Sequence, residues 1–277
     1  RLTPYVAQLR ASGMDVAVHP TVCAGDGTRL AQAAAQAGAD TVVAVGGDGT
    51  VFEVVNGLVN APDSGARLGV LPLGTGNSFV RDFGIVDPDQ ALAALMRGQA
   101  RKVDVVRLQH ADGVLHYVNL LSVGFSAQAG ALTNRRFKAL GNSGYIAAVL
   151  VSLVRLKAPT FPFRLDEGAI DHRPCVLLSF SNSRYTGGDM MMAPSADVAD
   201  GLVDVVRIGP MGRRRFLSCF PRIFKGTHPE MHETELSTAR HVDFDLPTPV
   251  DVMIDGEVFC LRLQSLQVLP GAMEIVA

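Results

Sequence analysis

Two glycine-rich loops, each directly after a short apolar run, constrain the fold of this chain more than any other feature. The first loop, G-G-D-G-T at residues 46–50, follows the apolar residues 41–45. The second, L-P-L-G-T-G-N-S at residues 71–78, leaves the apolar run 68–71. Such runs are typical of strands buried on both faces of a parallel sheet. The runs lie about 25–30 residues apart, the length of one βαβ unit, so both loops are expected at the carboxyl edge of one sheet, where open α/β sheets bind ligands.

The composition of these loops suits a phosphate group accompanied by a metal ion. Glycine lets backbone N–H groups approach an anion closely, and the helix expected after residue 50 adds its positive N-terminal end. Asp48 alone would repel a phosphate, so it indicates either a bridging Mg²⁺ or a proton-accepting role. The alternative is a tight strand-to-helix turn with an Asp cap. The residues expected to contact the phosphates are Gly46, Gly47, Asp48, Gly49, Thr50, Gly74, Thr75, Gly76 and Asn77.

The pattern of predicted elements changes near residue 104. Before it, helices are predicted over residues 3–12, 28–38, 50–59 and 88–97, and strands over 14–19, 41–45 and 68–71. This alternation predicts an α/β domain over residues 1–104 with a largely parallel sheet. After it, turn residues separate predicted strands, which predicts a mainly antiparallel domain over residues 105–277 with helices at 143–156 and 213–225. Those strands are 103–108, 116–122, 175–181, 202–208, 241–246 and 250–254.

Composition excludes several classes of protein. The chain has a formal net charge of −2 and 48% hydrophobic residues, so it is neither disordered nor globally attracted to nucleic acid. The longest apolar stretch, residues 145–156, is too short to span a bilayer. The cysteines form no C-x-x-C pair, which predicts reduced thiols in a cytosolic protein. They are Cys23, Cys175, Cys219 and Cys260. The chain opens on Arg1 without a methionine, so its start is expected upstream.

The motifs together resemble the diacylglycerol kinase catalytic family, which includes sphingosine and ceramide kinases and bacterial diacylglycerol-kinase-like lipid kinases. Besides the two loops, the resemblance rests on five later segments in the same order. They are G-F-S-A at residues 124–127, Lys138 before L-G at 140–141, the stretch 182–206 with G-G at 187–188 and D-G-L at 200–202, K-G-T-H at 225–228, and D-G-E at 255–257.

The resemblance implies an N-terminal domain like those of phosphofructokinase and NAD kinase, a C-terminal β-sandwich, and an active site in the cleft between them. It also implies that the C-terminal tail returns to the N-terminal domain. Two departures stand out. This sequence begins after the family's first strand and its N-P-x-S-G loop, so that part of the ATP site is expected upstream of it. Bacterial members often carry Asp after G-T-G-N, where this chain has Ser78, which removes a carboxylate from the expected magnesium network.

The resemblance also assigns roles to single residues. Asp255 and Asp48 are the two catalytic candidates, with Asp255 as the base that accepts the proton of the lipid hydroxyl. Read without the resemblance, Asp255-Gly256 is an ordinary hairpin turn. Glu257, Thr21 and Lys138 are implied on the nucleotide side of the site. Asp104 is implied in the substrate or metal-linked network. A structural magnesium site is implied at Asp197, Asp200 and the carbonyl of Leu202, where the alternative is a simple Asp-Gly turn.

The function implied is phosphoryl transfer from ATP, with Mg²⁺, to the hydroxyl of a membrane lipid, most simply diacylglycerol. The alternatives left open are a sphingoid-base or ceramide kinase, an NAD kinase, and an inactive relative that binds nucleotide or lipid. A cytoplasmic protein in peripheral contact with the inner face of the membrane is expected, with no nucleic-acid partner and with a homodimer left open. The basic and aromatic stretch 213–225 is either a membrane-contacting helix or a helix packed on the core.

Overall fold

The computed structural model describes residues 2–132, 151–154 and 156–277 of the chain. Its N-terminal part alternates helices and parallel strands, as predicted. The elements are α1 (Thr3–Ala11), α2 (Asp26–Gln36), β1 (Thr41–Gly46), α3 (Asp48–Val59), β2 (Arg67–Pro72) and α4 (Pro88–Arg97). β1 and β2 pair in parallel, with Thr41 opposite Arg67 and Gly46 opposite Pro72. Both loops therefore leave the same edge of the sheet, because parallel strands end side by side.

Close packing of α2 on α3 depends on one glycine. A β-carbon on Gly57 would lie 2.5 Å from the carbonyl oxygen of Thr28 and 2.7 Å from the β-carbon of Ala31. Only glycine therefore allows the two helices to approach this closely. The contact places the start of α2 beside the second half of α3.

Two expectations for this part of the chain were wrong. Residues 14–19 are not a strand: among the described residues they pair with no other strand, although Val16 packs on the cluster of Leu9, Leu92 and Leu95. A strand needs a hydrogen-bonded neighbour as well as an alternating sequence. β1 is also less buried than predicted. Only Ala44 is fully buried, since β1 has β2 on one side and no described strand on the other.

The rest of the described chain forms two large sheets packed face to face and one small two-stranded hairpin, in which Thr186 pairs with Met190. Its elements are β3 (Ala100–His110), β4 (Gly113–Tyr117), β5 (Leu120–Gly124), α5 (Phe125–Leu132), β6 (Phe163–Leu165), β7 (Ile170–Asp171), β8 (Leu177–Ser181), β9 (Tyr185–Thr186), β10 (Met190–Met191), β11 (Val203–Ile208), α6 (Arg213–Cys219), α7 (Pro221–Lys225), β12 (Thr234–Ala239), β13 (His241–Phe244), β14 (Val250–Ile254), β15 (Glu257–Leu261) and β16 (Leu263–Val276).

The first sheet continues the N-terminal sheet, in the order β1-β2-β16-β13-β6-β7, with β3 and β4 attached through β16. The second has the order β12-β11-β8-β5-β14-β15, in which all neighbours are antiparallel. Residues such as Leu108, Phe180, Val205 and Leu266 fill the space between the sheets and are at most 1% exposed. The α/β domain joined to an antiparallel β-sandwich that the sequence predicted is therefore confirmed.

β16 belongs to both parts of the molecule. It pairs antiparallel with β3 over most of its length, and Ile275 and Val276 then pair in parallel with Leu68 and Gly69 of β2. A bulge between Leu269 and Met273 interrupts the register with β3; after it, Ile275 and Val276 pair with β3 on one side and with β2 on the other. The predicted boundary at residue 104 falls inside β3.

Two other predicted elements are interrupted. The strand predicted over residues 116–122 is divided into β4 and β5, which belong to different sheets. The helix predicted over 213–225 is divided into α6 and α7 at Pro221, whose backbone has no N–H to continue the first helix. Of the helix predicted over 143–156, residues 151–154 are helical and most of the remainder lies outside the described residues. No helix within the described ranges is long and apolar enough to cross a bilayer.

Candidate active site

The two glycine-rich loops touch each other through their backbones. A β-carbon on Gly74 would collide with the backbone nitrogen and α-carbon of Gly47. The loops can therefore close on one another only because position 74 is glycine; at Gly47 a β-carbon would make ordinary contacts, the nearest at 3.5 Å. The tip of the second loop, Gly74 and Thr75, is exposed and accessible to a ligand. Such a pair of loops presents backbone N–H groups and the start of α3 to the same small volume, as a phosphate requires.

Asp48 opens α3 and is held in place by the second loop. The backbone N–H of Ser78 donates to Asp48 Oδ1 at 2.7 Å, and the Ser78 hydroxyl donates to Oδ2 at 2.9 Å. The N–H of Phe79 adds a long contact to Oδ1 at 3.4 Å. Burial raises the pKa of Asp48 above its ordinary value, although the hydrogen bonds from Ser78 lower it. One acceptor site on Oδ2 remains free, facing Gly76.

Ser78 connects three segments that are distant in sequence. Its side chain is fully buried, and its hydroxyl oxygen also accepts a hydrogen bond from the N–H of Gly188 at 2.9 Å. The hydroxyl therefore joins α3, the second loop and the β9–β10 hairpin. The sequence indicated only that this position lacks the carboxylate often found in bacterial members of the resembling family. In the structure, the hydroxyl of Ser78 holds the carboxylate of Asp48 in place.

Ser78→Ala is expected to lower kcat about 10–100-fold, because a hydrogen bond to a charged group contributes about 1.5–3 kcal/mol. Steady-state kinetics with saturating ATP would measure the loss. Ser64→Ala, which removes a partly buried hydroxyl bonded to Ala61 far from the two loops, is the control and should keep wild-type kcat. Ser78→Thr should restore most of the activity. An unchanged kcat in Ser78→Ala would show that the hydroxyl does not position Asp48.

Asp255 accepts three consecutive backbone hydrogen bonds from the segment that joins the two sheets. The N–H groups of Asn119 and Leu120 donate to Oδ1 at 3.1 and 2.9 Å, and that of Val118 donates to Oδ2 at 3.2 Å. These bonds hold residues 118–120 between β4 and β5, which explains why the predicted strand is divided there. Asp255 itself has a φ of 47°, in the left-handed region, and its N–H donates to the carbonyl of Leu120.

The environment of Asp255 tunes its proton affinity. The residue is 1% exposed, so it is more enclosed than the side chain of an ordinary hairpin turn; the three N–H donors lie on the inner side of the turn. Burial, with a contribution from the charge of Asp48, raises the pKa of Asp255 to about 7, although the three N–H donors lower it. A carboxylate has about four acceptor sites, so one on Oδ2 remains for a further proton donor.

The D-G-E turn lies against the start of α3. A β-carbon on Gly49 would collide with Glu257 Oε1, and one on Gly256 would lie 3.8 Å from the β-carbon of Asp48. Glu257 is exposed and stands beside the first glycine-rich loop. The structure therefore brings together both loops and both catalytic candidates, which come from separate parts of the sequence.

The remaining nucleotide candidates have different surroundings. Asn77 has a φ of 52°, and its Nδ2 donates to the carbonyl of Gly74 at 2.8 Å. Its Oδ1 is buried without a partner in the described chain, so it is a free acceptor beside the loops. Thr21 is exposed, in the loop before α2. Lys138 lies outside the described residues.

Glu53 holds the loop that carries Thr21, a function the sequence did not reveal. Its two carboxylate oxygens accept the N–H groups of Gly25 and Gly27, each at 2.7 Å. Glu53 lies on α3, one turn after the first glycine-rich loop. That position was the only indication in its sequence surroundings that its side chain could reach a segment near the loop. The bonds fix the start of α2 next to the start of α3.

Two ion pairs, also missed, join the second loop to the β9–β10 hairpin. Arg184 contacts the buried Asp82 at 2.7 Å, and Arg81 contacts Asp189 at 2.6 Å. Burial raises the pKa of Asp82, although the hydrogen bond and charge of Arg184 lower it. The signal in the sequence was the charged pair Arg81-Asp82 shortly after G-T-G-N-S, in the short 3-10 helix Phe79–Phe83.

The candidates for a structural cation, Asp197 and Asp200, lie on the loop before β11, next to the network candidate Asp104 of β3. Asp104 is fully buried, and it accepts the N–H groups of Gly201 and Gly271, both at 2.7 Å. Asp197 and Asp200 accept the N–H groups of Ala199 and Leu202. Burial, then the charges of Asp197 and Asp104, raise the pKa of Asp200.

Carboxylates that repel one another fit a divalent cation as a partner. In the described ranges, however, no three His, Cys, Asp or Glu side chains are grouped to hold a metal. A cation here would therefore depend on backbone oxygens such as the carbonyl of Leu202, and the magnesium site stays a prediction.

Comparison with known proteins agrees with this geometry. The diacylglycerol kinase catalytic domain matches residues 2–108, and the YegS C-terminal NAD kinase β-sandwich-like domain matches residues 119–277. A diacylglycerol kinase from Mycobacterium tuberculosis is 30% identical over 274 residues, covering 98% of this chain and 87% of the relative. A YegS-like lipid kinase from Chromohalobacter salexigens is 30% identical over 275 residues, with coverages of 98% and 87%.

Among solved structures, that of a candidate diacylglycerol kinase from Bacillus anthracis superimposes with a TM-score of 0.80 at 25% identity. The superposition covers 99% of this chain and 88% of that one. The family models match both parts of the molecule, and relatives named as diacylglycerol kinases match the chain in sequence and in architecture. This chain therefore belongs to the diacylglycerol kinase catalytic family, a family of lipid kinases.

Proposed function

We propose that this lipid kinase transfers the γ-phosphoryl group of ATP to the free hydroxyl of diacylglycerol, giving phosphatidic acid and ADP. The observation that carries the proposal is the convergence of both glycine-rich loops, Asp48 and Asp255 at one point between the α/β part and the sandwich. Phosphoryl transfer needs positioned phosphates and a base close to the attacking hydroxyl, and this arrangement supplies both.

The phosphates would lie on the two loops. The backbone N–H groups at the start of α3 and the exposed tip at Gly74 and Thr75 provide donors and a positive helix end for an anion. Mg²⁺, when bound, would neutralise phosphate charge, and the free acceptor site of Asp48 Oδ2 suits contact with it directly or through water. Ser78 keeps that carboxylate aimed at the space beside Gly76.

Asp255 would act as the general base from the sandwich side. Its pKa of about 7 makes the carboxylate ionised for much of the time at neutral pH and yet basic enough to accept a proton. As the lipid oxygen bonds to the γ-phosphorus, its proton passes to Asp255 Oδ2. The bond from the γ-phosphorus to the bridging oxygen breaks, and ADP leaves with that electron pair.

Diacylglycerol is the first choice of lipid because relatives with this substrate in their names match almost the whole chain. A sphingoid base or ceramide is the second candidate, since the same base would serve any lipid alcohol and apolar pockets discriminate weakly among chains. The match to lipid kinases over both parts of the chain disfavours NAD kinase. Retention of Asp48 and Asp255 disfavours an inactive relative.

The direct test is an assay with labelled ATP, Mg²⁺ and a panel of lipids in mixed micelles. We expect labelled phosphatidic acid from diacylglycerol, several-fold faster than any product from sphingosine or ceramide, and none from NAD. Faster labelling of a sphingoid base would change the substrate and keep the reaction class. Formation of NADP without any lipid product would contradict the proposal.

A further inference from the structure

The helices α6 and α7 expose apolar and basic side chains together. Leu217 is 54% exposed and Phe224 50% exposed, while Phe216 and Ile223 on the opposite sides are buried. Arg213, Arg214 and Lys225 are exposed next to them in sequence. We call the set Arg213, Arg214, Leu217, Phe224 and Lys225 the basic aromatic face.

A row of aromatic rings fixes this face to the core. Phe125, which follows β5 directly and is 5% exposed, lies 4.5 Å from Phe216 between ring centroids. Phe216 lies 6.0 Å from Phe220, and Phe220 lies 5.9 Å from Phe224. The exposed ring of Phe224 is thus the outer end of a packed series, so little side-chain entropy is lost when it enters another apolar medium.

Adjacent residues extend the apolar area. Leu153, in the short helical segment 151–154, belongs to the same buried cluster as Phe216. Val154 of that segment is 64% exposed. Two separate segments that meet in the cluster around Phe216 therefore each present a large apolar side chain to solvent.

The charges of this face are not used inside the described chain. Arg215 is paired with Glu233 at 2.9 Å, and Arg222 contacts Glu230 at 3.5 Å. Arg213, Arg214 and Lys225 form no ion pair within the described residues. The whole chain has a formal charge of −2, so this positive charge is local. The arginines of the run 213–215 are therefore not equivalent, and only the first two are available to a partner.

The face is connected to the catalytic region by a short path. A β-carbon on Gly226, directly after α7, would lie 2.6 Å from the sulfur of Met191 in β10. The same hairpin donates the Gly188 N–H to Ser78, which holds Asp48. A partner surface that binds the basic aromatic face would therefore lie on the same side of the molecule as the β9–β10 hairpin.

We propose that the basic aromatic face docks on an anionic phospholipid bilayer, with Leu217 and Phe224 inserted at the level of the headgroups. The inference rests on the proposed function, because a kinase of a membrane lipid must reach that lipid at the surface of a bilayer. An interfacial site combines apolar side chains with Lys and Arg near acidic headgroups. The phosphates of a nucleic acid would attract the basic side chains but would not bury Leu217. An anionic bilayer can do both, because acidic headgroups bind Lys and Arg and the acyl region takes up apolar side chains.

Vesicle co-sedimentation without ATP tests the docking independently of turnover. Wild-type protein should bind phosphatidylcholine vesicles that contain phosphatidylglycerol and bind pure phosphatidylcholine much less, with affinity falling as salt rises. Arg213→Glu with Arg214→Glu should weaken the binding at least about tenfold, since each basic residue near such a surface contributes about 1 kcal/mol. Leu217→Gln with Phe224→Ser should weaken it by a similar factor, from lost apolar burial.

Matched controls separate docking from misfolding. Arg240→Glu with Arg262→Glu reverses the same number of charges at exposed turns outside α6 and α7 and should leave vesicle binding unchanged. ATP affinity should be unchanged in every variant; if the Phe224→Ser protein is unstable, Leu217→Gln alone decides the apolar contribution. Equal binding of wild type and the Arg213/Arg214 variant would overturn the proposal. So would tighter binding to RNA than to the anionic vesicles. Vesicle binding with no lipid phosphorylation would instead overturn the proposed function and keep the docking site.

Discussion

Asp255→Asn is expected to lower kcat by about 10²–10⁴-fold while ATP affinity stays near that of the wild type, because a general base typically contributes this much to rate. Asp255 comes from the sandwich and is held by the amides of residues 118–120, whereas the phosphate loops come from the α/β part. Replacing this carboxylate by an amide should therefore slow the phosphoryl-transfer step and leave the affinity for ATP unchanged. Single-turnover kinetics and calorimetric titration with ATP would measure the two quantities separately.

The pH dependence sharpens this expectation. Because the base acts in its ionised form, kcat should rise with pH through about 7, the pKa of Asp255, and the rise should vanish in Asp255→Asn. Stability should change in the opposite direction. The pKa is raised from 3.8 in the folded state, so the folded protein binds this proton more tightly than the unfolded chain. The contribution to the free energy of unfolding is thus present at low pH and is lost as pH rises towards 7.

Asp48→Asn is the matched comparison. Asp48 stands among the donors of the second loop and has one acceptor site free towards Gly76, so its loss should weaken Mg·ATP binding as well as turnover. If Asp48→Asn binds Mg·ATP normally and is inactive while Asp255→Asn retains substantial turnover, the roles of the two carboxylates are reversed.

Gly76→Val is expected to abolish measurable ATP binding while the protein remains folded. A β-carbon at this position would lie 2.7 Å from Asp48 Oδ2, so the valine side chain must displace the carboxylate or the loop. It would also occupy the space next to the exposed tip of the second loop, where we place the phosphates. Calorimetric titration with Mg·ATP measures the loss, and a thermal melt shows whether the fold persists.

Gly212→Val is the control for this experiment. Gly212 has extended backbone angles, and a β-carbon there would meet no atom within 4 Å, so the same side chain is added without a collision. ATP affinity should remain that of the wild type. Unchanged affinity in Gly76→Val would mean that the second loop is only a turn.

The elements whose sequence carries its own start and stop signals could be predicted well. α4 begins at Pro88 after the capping Asp87, whose side chain accepts the N–H of Gln90, and ends at Gly98 in the left-handed region. Both ends are marked by local chemistry. The two glycine-rich loops were likewise visible because the strand before each loop has a distinctive apolar run.

The errors occurred where distant residues decide the local structure. Residues 116–122 were predicted as one strand. Nothing near them in the sequence indicates that Asp255, far along the chain, accepts the hydrogen bonds of 118–120 where the chain passes from one sheet to the other. The strand predicted over residues 14–19 had the right sequence pattern and no neighbour. The functions of Ser78 and Glu53 in holding other residues were invisible for the same reason, since their partners are identified only by the folded geometry.

The pairing of β16 with β2 has a consequence for the order in which the protein can be completed. Leu68 and Gly69 leave the ribosome early, but the strand that covers that side of β2 includes Ile275 and Val276, which are made much later. Domains generally fold from the N-terminus during synthesis. Here one edge of β2 stays unpaired in the nascent N-terminal part until residues 275 and 276 have been made. An unpaired apolar strand edge is prone to association with other chains. The glycine-rich loops can be shaped early, yet the sheet on which they stand becomes whole only when the sandwich has been made.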